Sequence, residues 1–302
     1  MSGSLADLRR KIDSAQQLQG VVRTMKAMAA SSIGQYEAAV RALVDYERSI
    51  DLGLSACLRE GNSIAVRDPR RSNERQIGAI VFGSDQGLVG RFNEVIADFA
   101  MHTLAAMPGE KKIWAVGERV YAHLTDAGVS LAGQFTVPGS VAAITPLIGE
   151  ILSAHERHGS ISDCPQVHVF HNRPRSAALY EPVSQRLLPL DAQWRGQRTQ
   201  IPWPTKNLPQ VVGARDLALR ALVHEYLFIS LYKACAESLE SENGSRLAAM
   251  QRAEKNIESI SAALSQSFYR LRQGSIDEEL FDVIAGFNAL SPKQRLPRVQ
   301  ES

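Results

Sequence analysis

Apolar residues recur at a fixed interval from the start of the chain. Leu8, Ala15, Val22, Ala29, Tyr36, Leu43, Ile50 and Cys57 stand seven apart. Ile12, Leu18, Met25, Ile33, Val40 and Leu54 occupy the partner positions. A seven-residue apolar period kept over this length predicts a left-handed coiled coil rather than a short globular helix. At ~1.5 Å per residue, roughly fifty helical residues reach about 75 Å. The last part of the chain repeats the pattern with Met250, Ile257, Leu264 and Leu271, accompanied by Leu247, Ala253, Ile260 and Phe268. Leu222, Ile229, Ala236 and Leu239 continue it upstream less strictly. Gly244 and Gly274 weaken this helix locally, by ~1 kcal/mol each relative to Ala, and mark close packing or a bend. Neither apolar stripe is stable in water, and the simplest partner of each is the other. The terminal segments are therefore expected to meet in one antiparallel two-stranded coil.

Proline separates these segments from the middle. Of the 13 prolines, eleven lie between Pro69 and Pro209, none precedes Pro69 and none falls between Pro209 and Pro292. Proline breaks helix interiors, so two long helices bracket a differently built centre. There, "IGAIVFG" (77–83), "KIWAVG" (112–117) and "QVHVFHN" (166–172) are short apolar runs bounded by turn residues and read as buried strands. "SQRLLPLD" (184–191) is one more strand. Helical stretches at 93–107 and 142–158 alternate with them. This alternation predicts a small Rossmann-like α/β domain with a mostly parallel sheet. The expected organisation is an N-terminal coil helix over 1–58, a central α/β domain over 75–192, a C-terminal coil helix over 208–290 and a tail over 291–302.

Composition narrows the classes. A 44% hydrophobic content can fill a core, and 6% aromatics lean toward packing by Ala, Leu, Ile and Val. A net charge of +2 marks neither a polyanion binder nor an acidic tail. Cys57, Cys164 and Cys235 are too far apart for a disulfide framework or a metal spacing. The start, "MSGSLADLRRKID", lacks a signal-peptide apolar core, and no run has the length of a membrane span.

Few residues suggest chemistry. "FGSDQGLVG" (82–90) follows a strand and precedes a helix, and Gly83, Gly87 and Gly90 would let backbone approach a phosphate. It lacks the Lys-Ser or Lys-Thr of a P-loop and is not GxGxxG, so a structural turn capped by Ser84 or Asp85 is the stronger reading. His168 and His171 have no Asp or Cys at a ligand spacing and read as satisfied or exposed histidines. Asp85 with a histidine and a serine makes no triad, because no nucleophile-elbow sequence is present. Arg9, Arg10, Lys11, Arg23 and Lys26 read as a solvated helix face or a surface for an acidic partner; with no interleaved aromatics, nucleic acid is not expected. Arg272 and Gln273 are the sharpest pair, a planar donor fork beside a group that both donates and accepts. No catalytic, cofactor-binding or metal-binding residue is assigned.

Four stretches carry a family resemblance. "LRRKIDSAQQLQGVVRTMKAMAAS" (8–31), "FGSDQGLVGRFN" (82–93), 169–190 with its "LLPL" ending, and 241–290 resemble, in order, motifs of the gamma subunit of F-type ATP synthases. The resemblance covers nearly the whole chain. It departs at Gln86, Val89 and Arg91 in the loop, and at Tyr269, Gly274 and Asp277 near the end, which points to a divergent or alternative-operon member. The resemblance implies a non-catalytic central rotor shaft, standing in a ring of alpha and beta subunits and resting on an epsilon subunit and a c-ring. It would lie at the cytoplasmic face of a bacterial membrane and couple proton or sodium flow to the beta subunits' nucleotide sites. It assigns beta contact to Arg272, Gln273, Met25, Lys26, Asp277 and Glu279, and a coil core to Val22, Ala29, Met250, Ile257, Leu264 and Leu271. The alternative is an α/β nucleotide-binding domain flanked by a dimerising coil and using the 83–90 loop.

Overall fold

The computed structural model describes residues 4–59, 76–153, 166–175, 179–207 and 209–290. The tail at 291–302, the end of the expected helix at 154–158, and Cys164 lie outside the described residues. The element order is α1 (Leu5–Arg59), β1 (Gln76–Phe82), α2 (Phe92–Ala105), β2 (Glu110–Val116), α3 (Glu118–Asp126), β3 (Leu131–Phe135), α4 (Ile144–Ser153), β4 (Gln166–Arg175), β5 (Leu179–Leu188), α5 (Ala192–Thr199) and α6 (Arg215–Leu290). Two compact units divide the chain. One takes the described residues of Met1–Thr24 and Gln251–Ser302, the other Met25–Met250.

In the first unit, Gln19 donates to Glu258 at 3.3 Å and Arg23 pairs with Glu254 at 3.1 Å. The two contacts keep one offset with opposite chain directions, so α1 and α6 run antiparallel here. Ala15 and Val22 are the buried heptad residues of α1 in this unit. The expected partner Leu18 is instead 57% exposed, and Ile260 on α6 is exposed as well. Both stand three residues past a seam position, whereas the second row of the seam stands four past it. That row brings Ile12 and Gln19 to half-burial. Exposed pairs such as Arg23–Glu254 contribute little, about 0.2–1 kcal/mol.

In the second unit the same antiparallel arrangement appears. Lys233 pairs with Glu47 at 3.0 Å, and the Tyr46 hydroxyl donates to Glu225 at 2.8 Å. Ala29, Tyr36 and Cys57 are buried heptad residues, and Met250 is buried on α6. A Cβ at Gly53 would stand 3.0 Å from Leu222 Cδ2, so the missing side chain sets how closely the helices pass.

The sheet of this unit has the order β3-β2-β1-β4-β5. β1 to β4 are parallel, and β5 is antiparallel to β4. Alternation along β1 divides the core. Ile77, Ala79 and Val81 pack with Ile96, Ala100 and Leu104 of α2 and Val120 and Leu124 of α3. Ile80 and Phe82 face the other way, onto Ile144, Leu147 and Ile148 of α4, Leu231, Cys235 and Leu239 of α6, and Tyr36 of α1. Phe82 and Trp114 are wholly buried there, each contributing roughly 1.5–3 kcal/mol by removal from water. The long helices thus form part of the wall of the α/β core.

Candidate functional site

The glycine-rich loop is a turn whose polar groups are engaged. A Cβ on Gly83 would lie 2.4 Å from Val120 Cβ and 2.7 Å from Asn93 Oδ1, so only glycine fits as β1 passes α3. The Ser84 amide donates to Asn93 Oδ1 at 2.9 Å, and Asn93 Nδ2 donates to Ser84 Oγ at 2.8 Å. Ser84 Oγ in turn donates to the Gln86 carbonyl at 2.9 Å. Asp85 accepts from the Glu118 amide at 2.9 Å and from the Val137 amide at 3.0 Å. It thereby supplies the capping carboxylate that α3 lacks at its own N-cap, Gly117, whose φ is 119°. The loop ties β1, α2, α3 and the chain after β3 together.

In a doubly wound sheet, ligands enter the crevice outside the C-terminal strand ends where connections change face. Here the crossovers after β1 and β2 place α2 and α3 on one face, and the connection from β3 to β4 places α4 on the other. The switch point therefore lies between β1 and β4. Helix α6 occupies it with Glu237, Ser241 and Ser245, four residues apart and so on one helix face. Ser241 Oγ donates to the Asn172 carbonyl at 2.9 Å, and Ser245 Oγ donates to the Val89 carbonyl at 2.5 Å. Glu237 accepts from His171 Nε2 at 2.8 Å and from Arg173 Nε at 3.2 Å. Asn172 Nδ2 completes the network by donating to the Phe92 carbonyl at 3.1 Å. His171 is 1% exposed, so it is not the exposed histidine that was one expectation; its Nε2 is engaged by Glu237, while its buried Nδ1 has no hydrogen-bond partner among the described residues.

The electrostatics follow from burial and pairing. Burial alone would raise the Glu237 carboxyl, but the His171 hydrogen bond and charge, followed by Arg173, hold it below its ordinary value. Glu242, further along α6, is raised by burial even though Arg246 donates to it at 2.7 Å. Burial also pushes the Cys235 thiol up, leaving it unreactive.

The expected contact residues lie elsewhere. Arg272, Gln273, Asp277 and Glu279 are exposed on α6 in the first unit. Carried forward, the offset set by Gln19–Glu258 and Arg23–Glu254 places Leu5, where α1 begins, against Arg272. From there α6 continues without α1. Ile276, Leu280, Val283 and Phe287 follow at helical spacing and make one exposed apolar stripe, with Phe287 71% exposed. Arg272 and Gln273 flank its start. Leu271, expected in the coil core, is 38% exposed opposite the first turn of α1, where the coil ends. Ile257 and Leu264 are half-buried in the same unit, and Met25 and Lys26 are half-buried on α1 in the second unit. Gly274 has open space around its Cα and marks no close packing, and α6 runs through it as one helix.

A further cluster was not legible in the sequence. Arg198 of α5 stacks on Trp194 at 4.3 Å and on Tyr226 of α6 at 4.6 Å, and pairs with Asp51 of α1 at 3.2 Å. Arg59 of α1 donates to the Thr199 carbonyl at 3.0 Å. Helix α5 thus staples the two long helices near the end of α1. The only sequence signal was an isolated Trp and Arg in a polar stretch.

A family model described as ATP synthase matches residues 4–290. The ATP synthase gamma chain of Frankia casuarinae is 27% identical over 96% of this chain and 99% of its own length. That of Lachnoclostridium phytofermentans is 26% identical over 95% and 99%. Among solved structures, a chain of the Euglena gracilis mitochondrial ATP synthase superposes with a TM-score of 0.68 at 13% identity, covering 99% of this chain and 98% of that one. The central stalk and c-ring structure of the Tetrahymena thermophila mitochondrial enzyme contains a chain matching at 0.55 and 18%, over 77% and 99%.

Proposed function

We propose, from the premise that this chain belongs to the ATP synthase gamma-chain family, that it is the central rotor stalk of such an enzyme. As a gamma chain it is a non-catalytic stalk subunit. The observation that carries the rotor reading is the end of α6 that runs past the start of α1. It presents Arg272, Gln273 and the stripe of Ile276, Leu280, Val283 and Phe287 to solvent. An apolar stripe of this kind calls for an enclosing partner, and a charged fork at its rim suits a polar loop of that partner.

In this reading the enclosing partner is the ring of alpha and beta subunits, and the nucleotide chemistry takes place on beta. Arg272, Gln273, Asp277 and Glu279, with Met25 and Lys26 further along, are the beta contacts. Val22, Ala29, Met250, Ile257 and Leu264 hold the coil. The other end meets an epsilon subunit and the c-ring at the cytoplasmic face of the membrane. No helix among the described residues is long and apolar enough to cross a membrane. Work is done because the turning shaft fits one conformation of beta better than the others. A ligand or partner shifts an equilibrium only by such a difference in affinity.

Co-purification from native membranes tests this. Recovery of alpha, beta, epsilon and c subunits with the chain is expected, and recovery without them overturns it. The alternative, nucleotide binding at 83–90, predicts ATP binding by the purified chain. None is expected, since Ser84 and Asp85 are engaged in the turn and α6 fills the neighbouring crevice.

A further inference from the structure

We infer that the crevice between β1 and β4, where a doubly wound sheet would receive a ligand, is in this chain the torque joint between the α/β domain and α6. Glu237, Ser241 and Ser245 are its positioning residues. The inference rests on the rotor reading above and adds to it the place where turning force passes from the domain to the helix.

Transmitting a turn takes a contact that fixes angle as well as distance. An apolar surface against a helix holds it close but not at one angle, because hydrophobic attraction is non-directional. Buried hydrogen bonds have preferred lengths and directions, and in a low-dielectric interior they resist displacement strongly. The α/β domain uses apolar contact on α6 through Leu231, Cys235 and Leu239. Beside these, on the turns that enter the crevice, the contacts become polar. Glu237, Ser241, Glu242, Asn243 and Ser245 are all buried. Such a run of buried polar residues is unusual in a helix that also has an apolar core to join.

Three of them reach two parts of the sheet domain, the second half of β4 and the loop before α2. Glu237 takes the end of β4 through His171 and Arg173. Ser241 takes the backbone of Asn172, and Ser245 takes the backbone of Val89 just before α2. Their spacing covers two helical turns, about 12 Å along the axis. Sliding of α6 lengthens all three sets of bonds together, and rotation of α6 about its axis swings them out of line. The anchor points are themselves fixed. Asn172 is bonded to the Phe92 carbonyl, and the loop holding Val89 is pinned through Ser84–Asn93 and Asp85–Glu118. The bonds a bound ligand would make with the crevice are made here by the helix.

The test uses the assembled membrane complex with Ser241→Ala plus Ser245→Ala, and separately Glu237→Gln. ATP hydrolysis and ATP-driven ion uptake into vesicles are measured on the same preparations. The expected result is hydrolysis near wild type, with ion uptake per ATP hydrolysed lowered by about threefold or more. An unchanged ratio in both variants overturns the joint. If the double variant does not assemble, Ser241→Ala is compared with Ser241→Thr, which keeps the hydroxyl. A ratio lowered in the alanine variant and retained with threonine supports the joint, and equal ratios overturn it. Absence of this chain from the purified ATP synthase would sink the rotor reading instead, so the two failures are distinguishable.

Discussion

Glu237 of α6 accepts a hydrogen bond from His171 of β4 at 2.8 Å, deep in the junction of helix and sheet. The pair makes the junction sensitive to acid. Although burial works against it, pairing with His171 and then Arg173 lowers the carboxyl below its ordinary 4.5. A lowered carboxyl contributes stability that is fully present above its unfolded value and is lost as pH falls through its folded value. Glu240, Glu47 and Lys233 stand near the same junction, and Glu240 is raised by burial and by the charges of Glu37 and Glu237. We predict that Glu237→Gln costs about 1.5–3 kcal/mol at neutral pH. The difference from wild type should shrink below pH 4.5. Denaturant unfolding of both proteins across pH checks this, and a pH-independent difference would refute it.

The loop predicts a sharp contrast between two glycines. Gly83→Ala forces a Cβ into Val120 and Asn93, an overpacking that costs about 1–3 kcal/mol. Gly87→Ala meets nothing nearer than Arg119 Nη2 at 4.0 Å and should change stability by no more than about 0.5 kcal/mol. Equal midpoints of unfolding for the two variants would contradict the packing seen around Gly83.

Arg198 is expected to hold α5 in place by shape as well as charge. Arg198→Lys keeps the charge but loses the planar stack on Trp194 and Tyr226, so it should loosen α5 nearly as much as Arg198→Ala. The loss is about 0.5–2 kcal/mol for the stacking alone. Amide exchange over 192–199 reads it directly. Full protection in the lysine variant would show that charge pairing with Asp51 suffices.

Arg272→Ala with Gln273→Ala separates folding from function. Both side chains are exposed, so stability of the isolated chain should move by less than about 0.5 kcal/mol. ATP turnover of the assembled complex should fall. Unchanged turnover and assembly would remove these two residues from the proposed contact with beta.

Periodicity made the long helices legible, because a seven-residue repeat has few other readings. It could not resolve which partner row faces inward, and Leu18 looked like seam while Gln19 is the residue turned to it. The apolar strands at β1, β2 and β4 stood out, and the loop after β1 announced its turn through its glycines. β3, α3 and α5 did not. "LAGQF" is a short edge strand with Gly133 and Gln134 inside it, and "AQWRGQRT" is a polar segment held by tertiary stacking on Tyr226. The crevice residues were hidden for a different reason. Glu237, Ser241 and Ser245 are ordinary polar helix residues until the topology places β4 and the 83–91 loop against them.

The stripe of Ile276, Leu280, Val283 and Phe287 has a consequence for how the protein must be made. A free copy in the cell offers water a greasy helical face, so unassembled copies should clump or be degraded. If the proposed companions cover this stripe, synthesis in step with them is then a requirement of the molecule rather than a convenience. Overexpression alone should give sedimenting multimers, and co-expression with those companions should keep the chain dispersed.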